Sequence, residues 1–270
     1  MKESDEMAAS AVLSDTQSEA DNRKIAIDRV GVKNLRFPLQ VGLGTGELQS
    51  TVALVQLTVD LPHHFKGTHM SRFLEVLQAH GPVLHPENIS HLLGNLMQRL
   101  ESARSHLEFE FPFFVEKKAP VTGSPGLLDY TARFSATADE NSTDLITTVL
   151  VGVTTLCPCS KAISKSGAHN QRGLVTFSLR AKNSSVPLTE MVALVERSAS
   201  SELYSVLKRP DEKSVTERAY ANPVFVEDLV RNIAEEANAD PRIDWWKVEA
   251  ENYESIHNHN AYALVEKRLP

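Results

Sequence analysis

Residues 51–61, TVALVQLTVDL, set the fold class. Ala53, Val55, Leu57, Val59 and Leu61 recur at every second position, and Val52, Leu54, Gln56 and Thr58 fill the gaps. Successive side chains of a strand point to opposite faces, so this period predicts a strand with its odd-numbered residues in the core. Upstream, residues 25–41 alternate in part (Ile25, Ile27, Val30, Val32, Leu35) and predict strand with turns. Downstream, Met70, Phe73, Leu74 and Leu77 share a helical face after the candidate cap Thr68. Ile89, Leu92, Leu93, Leu96, Met97 and Leu100 make a stronger stripe, opened by Pro86. Period two then returns, first at Leu107, Phe109, Phe111 and Phe113, and again over 128–138 around Tyr130, Ala132, Phe134 and Ala136.

The second half runs in the same order. Residues 145–156 and 173–181 predict strands. Residues 188–207 predict a helix with Leu188, Met191, Val192 and Val195 on one face, and 223–239 another with Phe225, Leu229 and Ile233 spaced by four. Residues 243–248 and 261–265 are strand-like. Both halves therefore read strand, strand, helix, helix, strand, strand, without a residue-level repeat. The expectation is an α+β chain with two antiparallel four-stranded sheets, each carrying a helix pair on one face. Residues 1–24, rich in Ser, Ala, Asp and Glu, read as a disordered acidic tail. A first module spans 25–140 and a second 141–270, in one continuous domain. The turn-rich residues 120–125 are a break between strands, not a linker.

The 270 residues are 41% apolar and 23% charged, an ordinary globular balance. No apolar run reaches the roughly 20 residues of a membrane helix. The N-terminus lacks the basic-then-apolar layout of a signal peptide, so the reading is a cytoplasmic protein with no membrane partner. A net charge of −7 disfavours a broad nucleic-acid surface. It leaves room for a small anion at a local cluster such as Lys161, Lys165 and Arg172. Cys157 and Cys159 are the only cysteines, and their spacing argues for reduced thiols instead of a disulfide framework.

The densest chemistry lies in residues 154–172, TTLCPCSKAISKSGAHNQR. If the segment stays extended past Pro158, Cys157 and Cys159 point to the same side. Free Cys is often a small core residue, but the surrounding hydroxyl, amide and cationic side chains make a polar loop. Lys161 would favour the thiolate there. His169 alone is an ordinary loop histidine, and beside the thiols it becomes a candidate metal ligand. The second half of a zinc finger is missing, which suits an open catalytic site better than a closed structural one. His257 and His259 flank Asn258 and would face the same way on a strand, as proton carriers or ligands. Glu212, Glu217 and Glu227 read singly as solvated charge, but a carboxylate can complete a thiolate–imidazole shell or accept two N–H bonds from a guanine-like edge. Lys66, His69 and Arg72 surround a helix start and form a candidate anion site, though not a P-loop.

Taken together, 156–161 (LCPCSK), 167–172 (GAHNQR), 66–72 (KGTHMSR), 208–213 (KRPDEK), 216–220 (TERAY) and 254–259 (ESIHNH) resemble GTP cyclohydrolase of type IB. The resemblance runs from about Ile25 to Leu269. It implies the tunnelling fold, two ββααββ-like modules per chain, and a homotetramer with active sites between subunits. The implied reaction converts GTP and water to 7,8-dihydroneopterin triphosphate and formate, the first step of tetrahydrofolate synthesis. In it a metal-activated water attacks C8 of the purine. The implied cofactor is a divalent ion, zinc or manganese or else iron. By resemblance Cys157, His169 and Glu212 are metal ligands, and Cys159, His257 and His259 act in catalysis beside them. Glu227 would anchor the guanine edge, with Glu217 its rival, and Lys66, His69, Arg72, Lys161 and Arg172 would meet the triphosphate. Two other readings stay open. One is a tunnelling-fold nitrile reductase with a Cys nucleophile and NADPH. The other is a non-enzymatic protein with a structural ion.

Overall fold

The computed structural model describes residues 15, 17, 19–44, 46–182 and 185–268. β1 (Ile27–Gly42) and β2 (Leu48–Leu61) form a long hairpin. Next come α1 (Met70–His80), the two-residue β3 (Val83–Leu84) and α2 (Ile89–Leu100), the last entered through a 3-10 turn at Pro86–Asn88. β4 (Ser105–Lys118) and β5 (Pro125–Ala138) close the first half. The second half holds β6 (Thr143–Leu156), α3 (Pro158–Ile163), β7 (Asn170–Ala181), α4 (Leu188–Ser198), β8 (Ser201–Glu202), α5 (Arg209–Ala221), α6 (Val226–Ala239), β9 (Ile243–Asn252) and β10 (Ala261–Glu266). Among the described residues no helix is long and apolar enough to cross a membrane.

The strands make one sheet in the order β10-β9-β7-β6-β5-β4-β2-β1-β3, with β8 alongside β6, instead of the two sheets expected. The merger happens because β5 and β6 are themselves a hairpin, paired from Thr131–Leu150 to Ala138–Thr143. Asp139 makes the turn by accepting the N–H groups of Asn141 and Ser142, so nothing separates the halves. All pairings are antiparallel except β1 with β3. The edges are β10 on one side and, on the other, β1, which β3 covers only at Gln40 and Val41.

One face of the sheet is the core. Ala53, Val55, Leu57, Val59 and Leu61 are buried against α2, while Val52 and Leu54 are exposed, as the alternation predicts. Phe109, Phe111 and Phe113 continue that layer, with Phe111 edge-on to Phe134 at 5.5 Å. α6 covers β9 and β10 with Leu229 and Ile233, both fully buried. Phe225, grouped with them by spacing, is instead the N-cap and is exposed, because Pro223 stands outside the helix. The predicted helix over 188–207 stops at Ser198. Its next residues turn into β8 against Val153 and Thr154. The opposite, helix-free face leaves Val52, Leu54, Phe114, Leu127, Tyr262 and Leu264 exposed.

A polar contact joins the halves. Lys117 of β4 pairs with Glu196 of α4 at 2.7 Å, and Tyr130 of β5 donates to the same carboxylate at 2.6 Å. Both partners of the pair are nearly buried, with side-chain exposures of 14% and 12%. Burial, and then the Glu196 charge, push the Tyr130 hydroxyl far above its usual pKa, so it stays a donor. Glu196→Ala would leave a buried ammonium and hydroxyl unpaired. The expected cost is about 3 kcal/mol, read as a lowered urea midpoint, with a smaller loss in Glu196→Gln.

Of the tail read as disordered, residues 1–14, 16 and 18 lie outside the described residues. The rest runs along the approach to α1. Ala20 bridges Phe65, Glu19 accepts from Lys66 N–H, and Gln17 accepts from Gly67 N–H. Backbone pairing of this kind needs no apolar side chains, so composition does not announce it.

Candidate active site

Pro158 decides the geometry of the thiols. It occupies the first helical position, where a missing N–H costs nothing, and the chain leaves β6 directly into α3. Cys157 becomes the N-cap and its sulfur accepts from Ser160 N–H at 3.4 Å. Cys159 lies on the helix and is exposed. The two thiols therefore do not share a strand face as the extended reading required.

α3 turns the chain back into β7 and sets His169 opposite Cys157. Cys157 N–H donates to the His169 carbonyl at 3.1 Å, and Ser160 Oγ accepts from His169 N–H at 3.2 Å. The His169 ring meets Gln171 Oε1 through Nδ1 at 2.9 Å. Gln171 Nε2 in turn donates to Thr155 Oγ1 at 2.9 Å. Thr155 and Gln171 are direct partners in the β6–β7 register, so both project from the same face, and both are buried.

The loop between β9 and β10 lands on this ring. Gly173 pairs with Asn252 at the end of β9, and a Cβ there would stand 2.8 Å from Asn252 Oδ1, so a larger residue would have to displace that side chain. Tyr253 N–H then donates to the Arg172 carbonyl. Glu254 folds inward, with its Oε2 3.7 Å from His169 Nδ1. That oxygen is buried and has no hydrogen-bond partner. His257 and His259 are in the loop, not on the strand that the reading assumed, because β9 ends at Asn252 and β10 begins at Ala261. Their rings stack at 5.1 Å regardless.

α5 and α6 bring carboxylates to the same end of the sheet. Val224 N–H donates to the Leu156 carbonyl, which fixes the entry to α6 next to Cys157. Glu227 lies in the first turn of α6, exposed, with no partner among the described residues. Glu217 is held by Lys213 one turn away at 2.6 Å. Lys161 reaches across to α5, bonding the Tyr220 carbonyl and lying 4.5 Å from that ring's centroid. It is therefore directed at α5, not at the thiols. Glu212 stands eight residues before Tyr220, roughly 12 Å along the helix from that contact. Residues 209–221 read as a charge run because α5 is anchored by polar groups, not by an apolar stripe.

The anchor of α5 is Asp211, beside Glu212. Its carboxylate accepts from the N–H groups of Val121, Thr122 and Lys208 and from Thr122 Oγ1. Burial opposes its ionisation, but these four bonds outweigh it and hold the carboxyl well below the usual carboxylate range. A lowered folded-state pKa stabilises above the unfolded value and is lost as pH falls through it toward the folded one. Asp211→Asn is thus expected to melt several degrees below the parent at neutral pH, with the gap closing below about pH 4. Thermal melts across that pH range measure it.

Lys66, His69 and Arg72 lie elsewhere. They follow the end of β2, in register with the start of β4 (Val59–Ser105), the end of β5 (Ser105–Ala138) and the start of β6 (Ala138–Thr143). Cys157 follows the other end of β6, a 14-residue strand, roughly 45 Å away along it. Lys66 pairs with Glu19 at 2.6 Å and His69 with Asp15 at 3.1 Å. Arg72 lines a cavity of about 570 Å³ with Asn95 and Arg99. His69, not Thr68, precedes the helix as its N-cap. Arg172 is exposed at the Cys157 end and makes no ion pair among the described residues.

One chain thus gathers Cys157, Cys159, Lys161, His169, Arg172, Glu227, His257 and His259 at one sheet end, and holds the other cations at the opposite end. Among the described residues no three Cys, His, Asp or Glu side chains form a metal shell. Two residues with donor chemistry for an ion are joined by their backbones: Cys157, and His169, whose Nδ1 is engaged and whose Nε2 remains. The orphaned Glu254 oxygen lies buried 3.7 Å from the His169 ring. Glu254 is in the quoted stretch 254–259, yet no spacing signal assigns it a role, because its approach depends on β9 ending beside Gly173.

Residues 13–263 match the family described as Type I GTP cyclohydrolase folE2. The match begins inside the segment read as tail. A GTP cyclohydrolase FolE2 of Akkermansia muciniphila is 58% identical over 259 residues, covering 95% of this chain and 98% of that protein. One of Magnetococcus marinus is 54% identical over 254 residues, covering 94% and 96%. Among solved structures, a highly active mutant of Bacillus sp. TB-90 urate oxidase has a TM-score of 0.50 at 9% identity, over 90% of this chain and all (100%) of that one. That likeness speaks for the fold alone.

Proposed function

The chain belongs to the type I GTP cyclohydrolase FolE2 family, and from that premise we propose how this cyclohydrolase of folate biosynthesis divides its work. GTP and water give 7,8-dihydroneopterin triphosphate and formate at a site built on Cys157 and His169. A divalent ion held there, zinc or manganese or else iron, would supply an electrophile and bring the pKa of a water toward neutral. Glu212 is the third ligand in this reading. Its carboxylate has no partner among the described residues but stands apart from the other two in one chain.

The chain's own groups do the rest. Glu227, unpartnered, accepts the two N–H groups of the guanine edge; Glu217 is the weaker candidate because Lys213 already neutralises it. His257 and His259 donate protons to the purine nitrogen that leaves C8 and to the ribose ring oxygen as it opens. Cys159, exposed on α3, is available for a further proton transfer.

The observation that carries the arrangement is the position of the cations. Lys66, His69 and Arg72 cannot meet a triphosphate whose purine lies at Cys157 of the same chain, roughly 45 Å along β6. They can meet one held by a neighbour. Two open sheet edges and the apolar residues of the helix-free face provide surfaces for such neighbours. These surfaces support our proposal of an assembly with sites between subunits; that it is a homotetramer in the cytoplasm, with modules 25–140 and 141–270 in each chain, is what the resemblance and the sequence imply.

The deciding experiment incubates the metal-loaded protein with GTP. Formate release together with pterin fluorescence after oxidation supports the reading, and the absence of both from folded, loaded protein ends it. Light scattering gives the assembly size on the same sample.

A further inference from the structure

We infer that Gln171 is a positioning residue: with Thr155 and Glu254 it fixes His169 as the Nδ1–H tautomer, leaving the Nε2 lone pair to face the site. This rests on the metal reading above for its purpose, but not for its geometry.

Two of these groups, Gln171 and Glu254, converge on one ring atom, and Thr155 holds the Gln171 amide. Nδ1 lies 2.9 Å from Gln171 Oε1 and 3.7 Å from Glu254 Oε2. Gln171 cannot choose the tautomer by itself. Its amide could present either end, because the Thr155 hydroxyl both donates and accepts. Glu254 removes the ambiguity. A carboxylate beside Nδ1 attracts an N–H there and repels a lone pair, and the oxygen is buried with no hydrogen-bond partner. With Nδ1 protonated, the amide must turn Oε1 to the ring and its NH2 to Thr155, as observed. Both Thr155 and Gln171 are buried on paired strands, so the relay is rigid. A histidine ligand held this way presents Nε2 without having to reorganise.

The test has two readouts on the isosteric variant Gln171→Met. Nitrogen-15 NMR of the metal-free protein reads the tautomer directly. The parent should show His169 as Nδ1–H, and the variant a mixture with Nε2–H. Zinc affinity, measured by competition with a chelating dye, should fall about 10- to 100-fold. A parent-like tautomer and parent-like affinity in Gln171→Met overturn the inference. Should that variant fail to fold, Thr155→Val, which removes only the hydroxyl that orients the amide, decides by the same two measurements. His169→Ala separates the two layers. If it binds zinc as the parent does, the metal reading falls, and the tautomer measurement alone then decides the role of Gln171.

Discussion

Cys157→Ala is expected to abolish formate release from GTP while the protein keeps its fold and assembly. The two halves of that expectation have different physical sources. Structurally, Cys157 is only half-buried and its sulfur accepts one long bond, from Ser160 N–H. Losing a single cap of this kind costs about 1 kcal/mol. Chemically, the sulfur is one of the proposed ion ligands, and a bound ion would supply several kcal/mol of charge stabilisation. At about 1.4 kcal/mol per factor of ten, turnover should fall on the order of a thousandfold or more. Formate assays, with circular dichroism and light scattering on the same sample, measure both. Full turnover in Cys157→Ala would remove the metal assignment, whatever happens to stability.

Two inactive variants should restore each other. Lys66→Ala/Arg72→Ala removes cations from one sheet end, and Cys157→Ala removes the thiol from the other. If each site takes its thiol from one protomer and its cations from a neighbour, random co-assembly leaves about a quarter of the sites intact. Mixed particles should then recover about that share of the parent's activity from two parents that have none. Cys157→Ala mixed with His169→Ala should recover nothing, because these residues face each other within one chain. Failure of the first mixture to recover would show that the two ends do not share a substrate.

Much of the scaffold was legible along the chain, because its signals are local. The alternation of Ala53 to Leu61 named the buried face of β2, and the stripe from Ile89 to Leu100 named α2 and its buried side. Elements without an apolar period escaped. α5 is held by the polar bonds of Asp211 and the reach of Lys161. α3 is six residues long and hides in a polar loop. The merging of two sheets into one followed from the Asp139 turn, which sequence shows only as a gap between strands.

The site divides in the same way. The order of residues along the chain already supplies the chemistries: two thiols, clustered imidazoles, spare carboxylates and cations, in motifs specific enough to indicate a family. Those are properties of residue types and spacing. Folding selects which of them meet. Pro158 parted the thiols by starting a helix. The β7–β9 pairing, which ends at Gly173 and Asn252, delivered Glu254 to His169. The antiparallel register sent Lys66 and Cys157 to opposite ends of the sheet. Contacts between residues distant in sequence are fixed by strand pairing and backbone clearance, and neither quantity is written in the spacing of the residues themselves.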